Sequence, residues 1–507
     1  MSTTKKLGLR EKYRLMTRGL GWETTYQPMD KVFPYQSFEG IKIHDWDKWE
    51  DPFRLTMDAY WKYQAEKDRK LYAIIDAFSQ HNGHLNISDA RYVNAIKLFL
   101  QGITLSEYSA HRGFIHLGRQ FGGVGPRVAA QMQAIDEIRH AQTQIHAISH
   151  YNKHFSGFHN FQQMYDRLWY LSVPKSYFED ALTAGPFEFL TAISFSFEYV
   201  LTNLIFMPFM SGAAYNGDMA TVTFGFSAQS DEARHMTMGL EVIKFMAEQD
   251  PDNIPIIQRW IDKWFWRGYR LLVLVAMMMD YMLPKKVMSW SEAWEMYFEQ
   301  AGGALFDDLS RYGFRMPKYA DVSIKEKDRY SHEAWAALYS YGAASGLHTW
   351  IPTGEEMEWL AEKYPASFPQ FYQKRLQHWD EQHQQGKRFY STTLPQLCQV
   401  CQIPAWFTEP DDPTQLCHRE VEYKGEHYHL CSDGCRDIFQ AEPEKYVQAW
   451  LPTHQVYQGN CGGASLDDVL KWSGIDSGHD NFDYAESDDR KNWEEWKSQT
   501  SVGKKVA

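Results

Sequence analysis

The chain has 507 residues, 44% of them hydrophobic and 16% aromatic, enough for a large core or for two or three domains. A net charge of −13 speaks against binding a phosphate backbone, which needs a clustered basic face, so nucleic acid is not an expected partner. The opening "MSTTKKLGLREKYRLMTRGLGWE" has basic residues but no apolar stretch and no small-residue cleavage site, so neither a signal peptide nor an anchor is expected and the cytoplasm is the expected compartment.

Residues 1–95 are rich in aromatic and charged residues, and "DPFRLTMDAYWKYQAEKDRKLYAIIDAF" has helical spacing, which predicts an N-terminal helical embellishment. Residues 96–345 are helical in period and poor in breakers, predicting a bundle core with helices at about 97–121, 126–154, 186–207 and 218–248. Two connections punctuate it: "GGVGP" at 122–126, with Pro126 placed to open a helix, and "YNGD" at 215–218. The most apolar run, "LLVLVAMMM" at 271–279, lies between Arg270 and Asp280 and is far shorter than the ~20 residues needed to span a bilayer. A buried helix is expected there, with no membrane partner. A helical extension follows over 346–390, then a Cys-rich region over 391–450 and a polar C-terminal tail over 451–507, expected to lie on the surface or fray.

The core writes nearly the same pentad twice, "DEIRH" at 136–140 and "DEARH" at 231–235, with the same 95-residue offset between the glutamates and between the histidines. A lone E-x-x-H is weak; Glu426 to His429 in "VEYKGEHYHLC" is one, and its alternating pattern reads as strand. The repeat is another matter. On a helix, residues i and i+3 share a face, so Glu137 with His140 and Glu232 with His235 each present a carboxylate and an imidazole to one point. A metal pair in a bundle core also needs a carboxylate from each of the other two helices, and Glu107 and Glu198 lie 30 and 34 residues before the next E-x-x-H glutamate. The neighbours of Glu198, "FLTAISFSFEYVLTNLIFMPFM", are almost all apolar, so a carboxylate among them needs a cation. Asp136 and Asp231 could each accept the far imidazole proton of the histidine on its own helix or of the one on the facing helix, and Arg139 and Arg234 would offset carboxylate charge. Oxygen ligands with two imidazoles and no thiolate suit iron or manganese better than zinc, and iron supports oxygen chemistry.

All six cysteines follow residue 397. Cys398 and Cys401 in "CQVC", then Cys431 and Cys435 in "CSDGC", flank the hairpin-like "VEYKGEHYHL" and read as one structural zinc site, because a cytoplasmic chain keeps thiols reduced. Cys417, His427 and His429 are alternative donors for one position, and Cys461 stands outside the set. The fold class expected is mainly α: a ferritin-like di-iron four-helix bundle with extra helices and a small Cys-rich α+β metal-binding region near the C-terminus.

Glu107, "DEIRH", "FEYVLTN" around Glu198 and "DEARH", at these spacings, resemble the hydroxylase large (alpha) subunit of the bacterial multicomponent monooxygenases, a family that includes soluble methane, toluene/o-xylene, alkene and phenol hydroxylases. The likeness covers about residues 60–350 and is strongest to the phenol hydroxylase branch. What the resemblance implies is a dimer of heterotrimers with smaller beta and gamma subunits and two iron ions. A small aromatic, phenol in this branch, is hydroxylated to catechol: one atom of dioxygen enters it and the other leaves as water. Electrons would come from NADH through a separate reductase carrying FAD and a 2Fe-2S cluster, and a small regulatory protein would dock over the metal site. Thr202 matches the family's active-site threonine, ascribed a role in proton delivery; the plainer reading is a hydroxyl bonded to its own i−4 carbonyl. Asn203 and Gln229 match polar positions of a gated access path, while Ile103, Ala110, Phe197 and Phe206 sit at helix offsets that could line the substrate pocket or simply pack. Toluene, alkene or methane hydroxylation is the near alternative. Iron storage or ferroxidase activity uses a similar bundle but only about a third of this length. Closer rivals than that are a fatty-acyl desaturase and the radical-generating subunit of ribonucleotide reductase, which share carboxylate–histidine pairs and are separated by substrate; a purely structural scaffold is the remaining reading.

Overall fold

The structure is a computed structural model that describes residues 8–18, 25–32, 39–87, 89–155, 157–158, 161–341, 350–385, 394–475 and 487–500. The expected boundaries at 345/346 and 390/391, and parts of the expected tail, lie outside the described residues.

Helix α1 (Met57–Gln80) is followed by α2 (Ala90–Gln120) and α3 (Val124–Tyr151), which run side by side as the most extensive helix pair. Ala129, Ala130, Ala134, Ala141 and Ala147 are all buried on α3, and such small side chains let neighbouring helices approach closely. Yet Gln133, Asp136, Glu137, His140 and Gln144 are buried on the same helix. Buried polar groups on that scale have to find partners. Two shorter helices, Phe161–Arg167 and Ser172–Leu182, lead to α4 (Pro186–Leu190), a π-helical stretch (Thr191–Tyr199) and α5 (Asn203–Tyr215), then α6 (Met219–Gln249). The π-helical stretch packs along α6. Gly217 takes φ +85° in the "YNGD" turn, and buried Asp218 caps α6 by accepting from the Thr221 amide at 3.2 Å. Tyr92 and Tyr151 donate to the same carboxylate, tying the first half of the bundle to the start of the fourth helix.

The expected helices are present. The third differs in kind, because its central turn is π-helical instead of α-helical. Helix α7 (Asn253–Leu271) closes over the bundle, and the apolar run continues as Val273–Met277 with a second π-helical turn at Met278–Met282, almost entirely buried. No single helix among the described residues is long and apolar enough to cross a membrane; Pro186–Tyr199 and Asn203–Tyr215 reach that apolarity only as a pair bent by 42°.

Beyond α8 (Ala320–Ser340) the small C-terminal region holds two antiparallel pairs, β1 (Thr408–Glu409) with β2 (Asp412–Leu416) and β3 (Arg419–Tyr423) with β4 (Glu426–Leu430). Lys424 and Gly425 turn the second hairpin with φ 53° and 82°, so Glu426 and His429 lie on a strand as expected. Helix α9 (Asp433–Ala441) is capped by Ser432, whose Oγ accepts from the Cys435 amide. The described tail does more than lie on the surface: Trp493 is fully buried and donates to the Ala464 carbonyl at 2.8 Å.

Candidate metal centre

Four helical segments bring Glu107 (α2), Glu137 and His140 (α3), Glu198 (π-helical stretch), and Glu232 and His235 (α6) into one buried cluster. His140 Nδ1 lies 3.5 Å from Glu137 Oε2, 3.6 Å from Glu232 Oε1 and 3.7 Å from Glu107 Oε2. His235 Nδ1 lies 3.2 Å from Glu137 Oε1 and 3.3 Å from Glu232 Oε2. Glu137 and Glu232 therefore each turn one oxygen toward each imidazole, the disposition of carboxylates shared between two ions. Two donor groups close enough to hold an ion result: Glu107, Glu137, His140 and Glu232, and beside them Glu137, Glu198 and His235.

The aspartates cross over. His140 Nε2 is 3.2 Å from Asp231 Oδ2 and His235 Nε2 is 3.2 Å from Asp136 Oδ2, so the facing helix supplies each contact. A carboxylate only accepts, which places the ring proton on Nε2 and leaves Nδ1 as a lone pair aimed at the glutamates. His140 Nδ1, His235 Nδ1 and Glu232 Oε2 are buried without a hydrogen-bond partner, as ligand atoms facing a cation position would be. Burial, reinforced by repulsion among the glutamates, pushes Glu137 and Glu232 well above the ordinary carboxylate range and Glu198 up to about 8. Burial would depress His140, but the carboxylates around it, Asp231 first, carry it well above its usual value, so a cation would displace a proton from Nδ1; His235, buried beside Arg234, stays well below. The donor set fits two cations.

Sequence reasoning missed the groups that hold this cluster. Gln133, one turn before Glu137, donates to both Glu198 oxygens at 3.0 Å, and Gln144, one turn after His140, donates to Glu107 at 3.1 Å. Helix α1 is no peripheral ornament: Tyr60 bonds Asp136 at 2.7 Å, Gln64 bridges Asp136 and Asp231 at 2.8 Å each, and Lys67 pairs with Asp231. Arg139 and Arg234, which the sequence did single out, join them: Arg139 pairs with Asp136 and Asp231, and Arg234 with Asp136. The signal was the polar stripe at Tyr60, Gln64 and Lys67, spaced four and three on one helix face.

An apolar cavity of about 80 Å³ opens on the cluster, its wall including Glu107, Glu137, Glu198 and Glu232. At ~10–15 Å³ per water-sized body it has room for a small molecule of several heavy atoms. Ile103, Ala110, Phe197 and Phe206 line it as expected, joined by Phe178, Leu271 and Met278. Asn203 and Gln229 do not line it; Gln229 Nε2 donates to Asn203 Oδ1 at 3.2 Å across α5 and α6. Thr202 lies on the wall, and its hydroxyl donates to the Phe197 carbonyl at 3.1 Å, five residues back where the sequence suggests four. The π-helical turn causes this, since its wider winding brings the i−5 carbonyl into reach.

Cys398, Cys401, Cys431 and Cys435 converge in a second, fully buried donor set, with Cys401 Sγ to Cys431 Sγ at 3.5 Å and Cys431 Sγ to Cys435 Sγ at 3.7 Å. Gln402 takes φ 60° to turn the first pair, and its amide bonds the Cys398 carbonyl. The alternative donors are engaged elsewhere: His427 with Glu420, His429 with His418. Cys417 and Cys461 are free thiols outside the set.

A helical bundle holding six glutamate and histidine ligand candidates beside an apolar cavity defines a carboxylate–histidine metalloprotein of the ferritin-like class. Residues 22–250 match the methane/phenol/alkene hydroxylase family, and residues 407–450 match a YHS domain. The phenol 2-monooxygenase oxygenase component of Pseudomonas sp. (strain CF600) is 68% identical over 98% of this chain and 96% of its own. The alkene monooxygenase oxygenase component subunit alpha of Xanthobacter autotrophicus is 26% identical over 94% of this chain and 96% of its own. A crystal structure of xenon-pressurized phenol hydroxylase from Pseudomonas sp. OX1 superimposes with a TM-score of 0.92 at 67% identity, covering 97% of this chain and 100% of the other. The chain belongs to the methane/phenol/alkene hydroxylase family. The YHS match contains Cys417, Cys431 and Cys435 but stops short of Cys398 and Cys401, so the four-cysteine set draws its first pair from outside that domain.

Proposed function

We propose that this chain is the oxygenase subunit of a multicomponent di-iron monooxygenase that converts phenol to catechol with dioxygen. The observation that carries the reading is the juxtaposition of two donor groups that meet at Glu137 with an apolar cavity of small-molecule size. Glu107, Glu137, His140, Glu198, Glu232 and His235 would hold two iron ions. Bound there, the pair would supply reductive activation of dioxygen for insertion of one atom into an electron-rich ring.

The chain's own residues do the rest. Ile103, Phe178, Phe197, Phe206, Leu271 and Met278 exclude water and hold a ring against the carboxylate wall. Thr202 donates to the Phe197 carbonyl in this state, and rotation of its hydroxyl would turn the proton into the cavity. Asp136 and Asp231 fix the imidazole tautomers from the facing helices, and α1 keeps them in place through Tyr60, Gln64 and Lys67.

The relatives' designations as an oxygenase component and as a subunit alpha support a chain that works with others. In this reading the partners are beta and gamma subunits in a dimer of heterotrimers, a small regulatory protein, and a cytoplasmic NADH reductase with FAD and a 2Fe-2S cluster. Cys398, Cys401, Cys431 and Cys435 hold one structural zinc. Phenol is preferred over alkene or methane on the 68% identity against 26% and 23%.

The reconstituted system should place one atom of labelled dioxygen in catechol and consume NADH only with the reductase present. Thr202→Ala should uncouple NADH use from catechol formation while keeping iron, whereas Glu198→Ala and Glu232→Ala should lose iron with the helical signal intact. Label arriving from water, or two irons retained in both glutamate variants, would overturn the assignment.

A further inference from the structure

Outside the bundle interior, α1 and α3 bring together three more donor atoms. His146 and His150 lie one turn apart on one face of α3, and Asp76 reaches them from α1. Asp76 Oδ1 is 2.8 Å from His146 Nε2 and 3.0 Å from His150 Nε2, and the two Nε2 atoms are 3.2 Å apart. We propose that Asp76, His146 and His150 form a binding site for one divalent transition-metal ion of the zinc class, clamping α1 to α3 at the surface.

Protons cannot satisfy this triangle. For ionised Asp76 to accept from both rings, each Nε2 must carry hydrogen, and then two N–H groups face each other at 3.2 Å. If one Nε2 is bare so that it accepts from the other ring, it turns a lone pair toward the carboxylate instead. With Asp76 ionised, every assignment leaves one of the three edges with like facing like, and a cation in the middle satisfies all three. The dimensions agree: donors around a tetrahedral ion at ~2.0–2.1 Å stand about 3.3 Å apart, so the triangle has to widen by only a few tenths of an ångström.

Two imidazoles and one carboxylate select zinc, nickel, cobalt or copper over the hard cations magnesium and calcium. The site is partly open, with the Asp76 side chain 43% exposed, so an incoming ion can keep water as a further ligand. It is separate from the bundle cluster: neither donor group there includes any of these residues. One neighbour opposes the ion. Lys153 Nζ is 3.0 Å from His150 Nδ1, which as acceptor places the ring proton on Nε2; metal at Nε2 needs that proton on Nδ1 and requires Lys153 to swing away. A bound ion would tie together the two helices that meet at Asp136 through Tyr60 and Gln64, stiffening the support of the bundle cluster from outside.

The test titrates zinc chloride, and separately nickel chloride, into the purified, iron- and zinc-replete full-length protein by calorimetry. Wild type should take up one further equivalent per chain. His146→Gln with His150→Gln should abolish that uptake while iron content and turnover stay as in wild type, and Lys153→Gln should bind more tightly. Copper(II) bound at the site should show two coordinating nitrogens by electron paramagnetic resonance. Equal uptake by wild type and the double variant, or none by either, would overturn the proposal.

Discussion

At the scale of single residues, the cluster depends on groups that touch no ion. Gln133 gives Glu198 both of its side-chain hydrogen bonds from α3 and also reaches Glu137 at 3.3 Å. Gln133→Leu removes that donor and should cost roughly 10–100-fold in metal affinity or turnover, the usual effect of losing a partner behind a ligand. Iron retained against a chelator, read beside the hydroxylation rate, measures it; wild-type values for both would show that Gln133 only fills space. A second residue predicts a pH effect away from the cluster. Asp280 is buried where Trp290 N and Tyr364 OH donate to it at 3.0 and 2.5 Å. Burial, only partly opposed by these bonds and by Ser331, pushes it up to about 6. The folded chain thus keeps a proton that the unfolded chain releases from about pH 4 upward. Asp280's contribution is most favourable below that point and declines as pH rises to about 6, by about 3 kcal/mol in all. Asp280→Asn should remove this slope, so the thermal midpoint of the variant relative to wild type should climb between pH 4 and pH 7; a constant difference would refute the assignment.

At the scale of elements, the site depends on close passage of α6 past the π-helical stretch. Gly239 on α6 leaves no room for a Cβ, which would run into the backbone and Cβ of Ser194, one turn from Glu198. Gly239→Ala must push the two elements apart at a cost of about 1–3 kcal/mol, the range for overpacking, and should lower both the thermal midpoint and the iron content. Unchanged iron would mean that the stretch yields without moving Glu198. The same stretch shows what the sequence could not carry. "DEIRH" and "DEARH" announce themselves because E-x-x-H recurs in register at helical spacing, and the flanking Glu107 and Glu198 follow from the need for a carboxylate from each of the other two helices. A π-helical turn inside "FLTAISFSFEYVLTN" leaves no such mark: residues apolar on nearly every face carry no phase from which a change of winding can be read. For that reason the Thr202 bond falls on Phe197, one residue beyond the α-helical expectation. Asn203 and Gln229, matched to an access path, bond each other and do not line the cavity, since polar groups on adjoining helices satisfy each other as readily as they face a cavity. The role of α1 depends on long-range contacts to Asp136 and Asp231: the polar stripe at Tyr60, Gln64 and Lys67 marks one face of the helix without saying what that face meets.

At the scale of the whole molecule, the cysteine set joins the C-terminal region to the bundle. Behind it, Arg267 on α7 donates to Asp180 and to the Ser176 carbonyl, and Tyr446 donates to the same aspartate at 2.8 Å. Trp266 Nε1 donates to Ser432 Oγ at 3.2 Å, and Gly434 has no Cβ to collide with that indole. Glu333 on α8 accepts from the Thr408 amide at 3.0 Å. With these ties in place, a lost zinc ligand need not release the region completely, and the penalty should fall well below the ~10–16 kcal/mol by which zinc folds an isolated finger peptide. What remains is three buried sulfur atoms, those of Cys398, Cys431 and Cys435, that lack their common partner, and burial already pushes Cys431 well above the ordinary thiol range. Cys401→Ala should therefore abolish zinc binding, lower the thermal midpoint and admit protease between residues 394 and 450 at temperatures where the bundle is still folded, with two irons per chain retained. Iron lost in step with zinc would mean that the two regions unfold as one unit, and unchanged zinc content would remove Cys401 from the set.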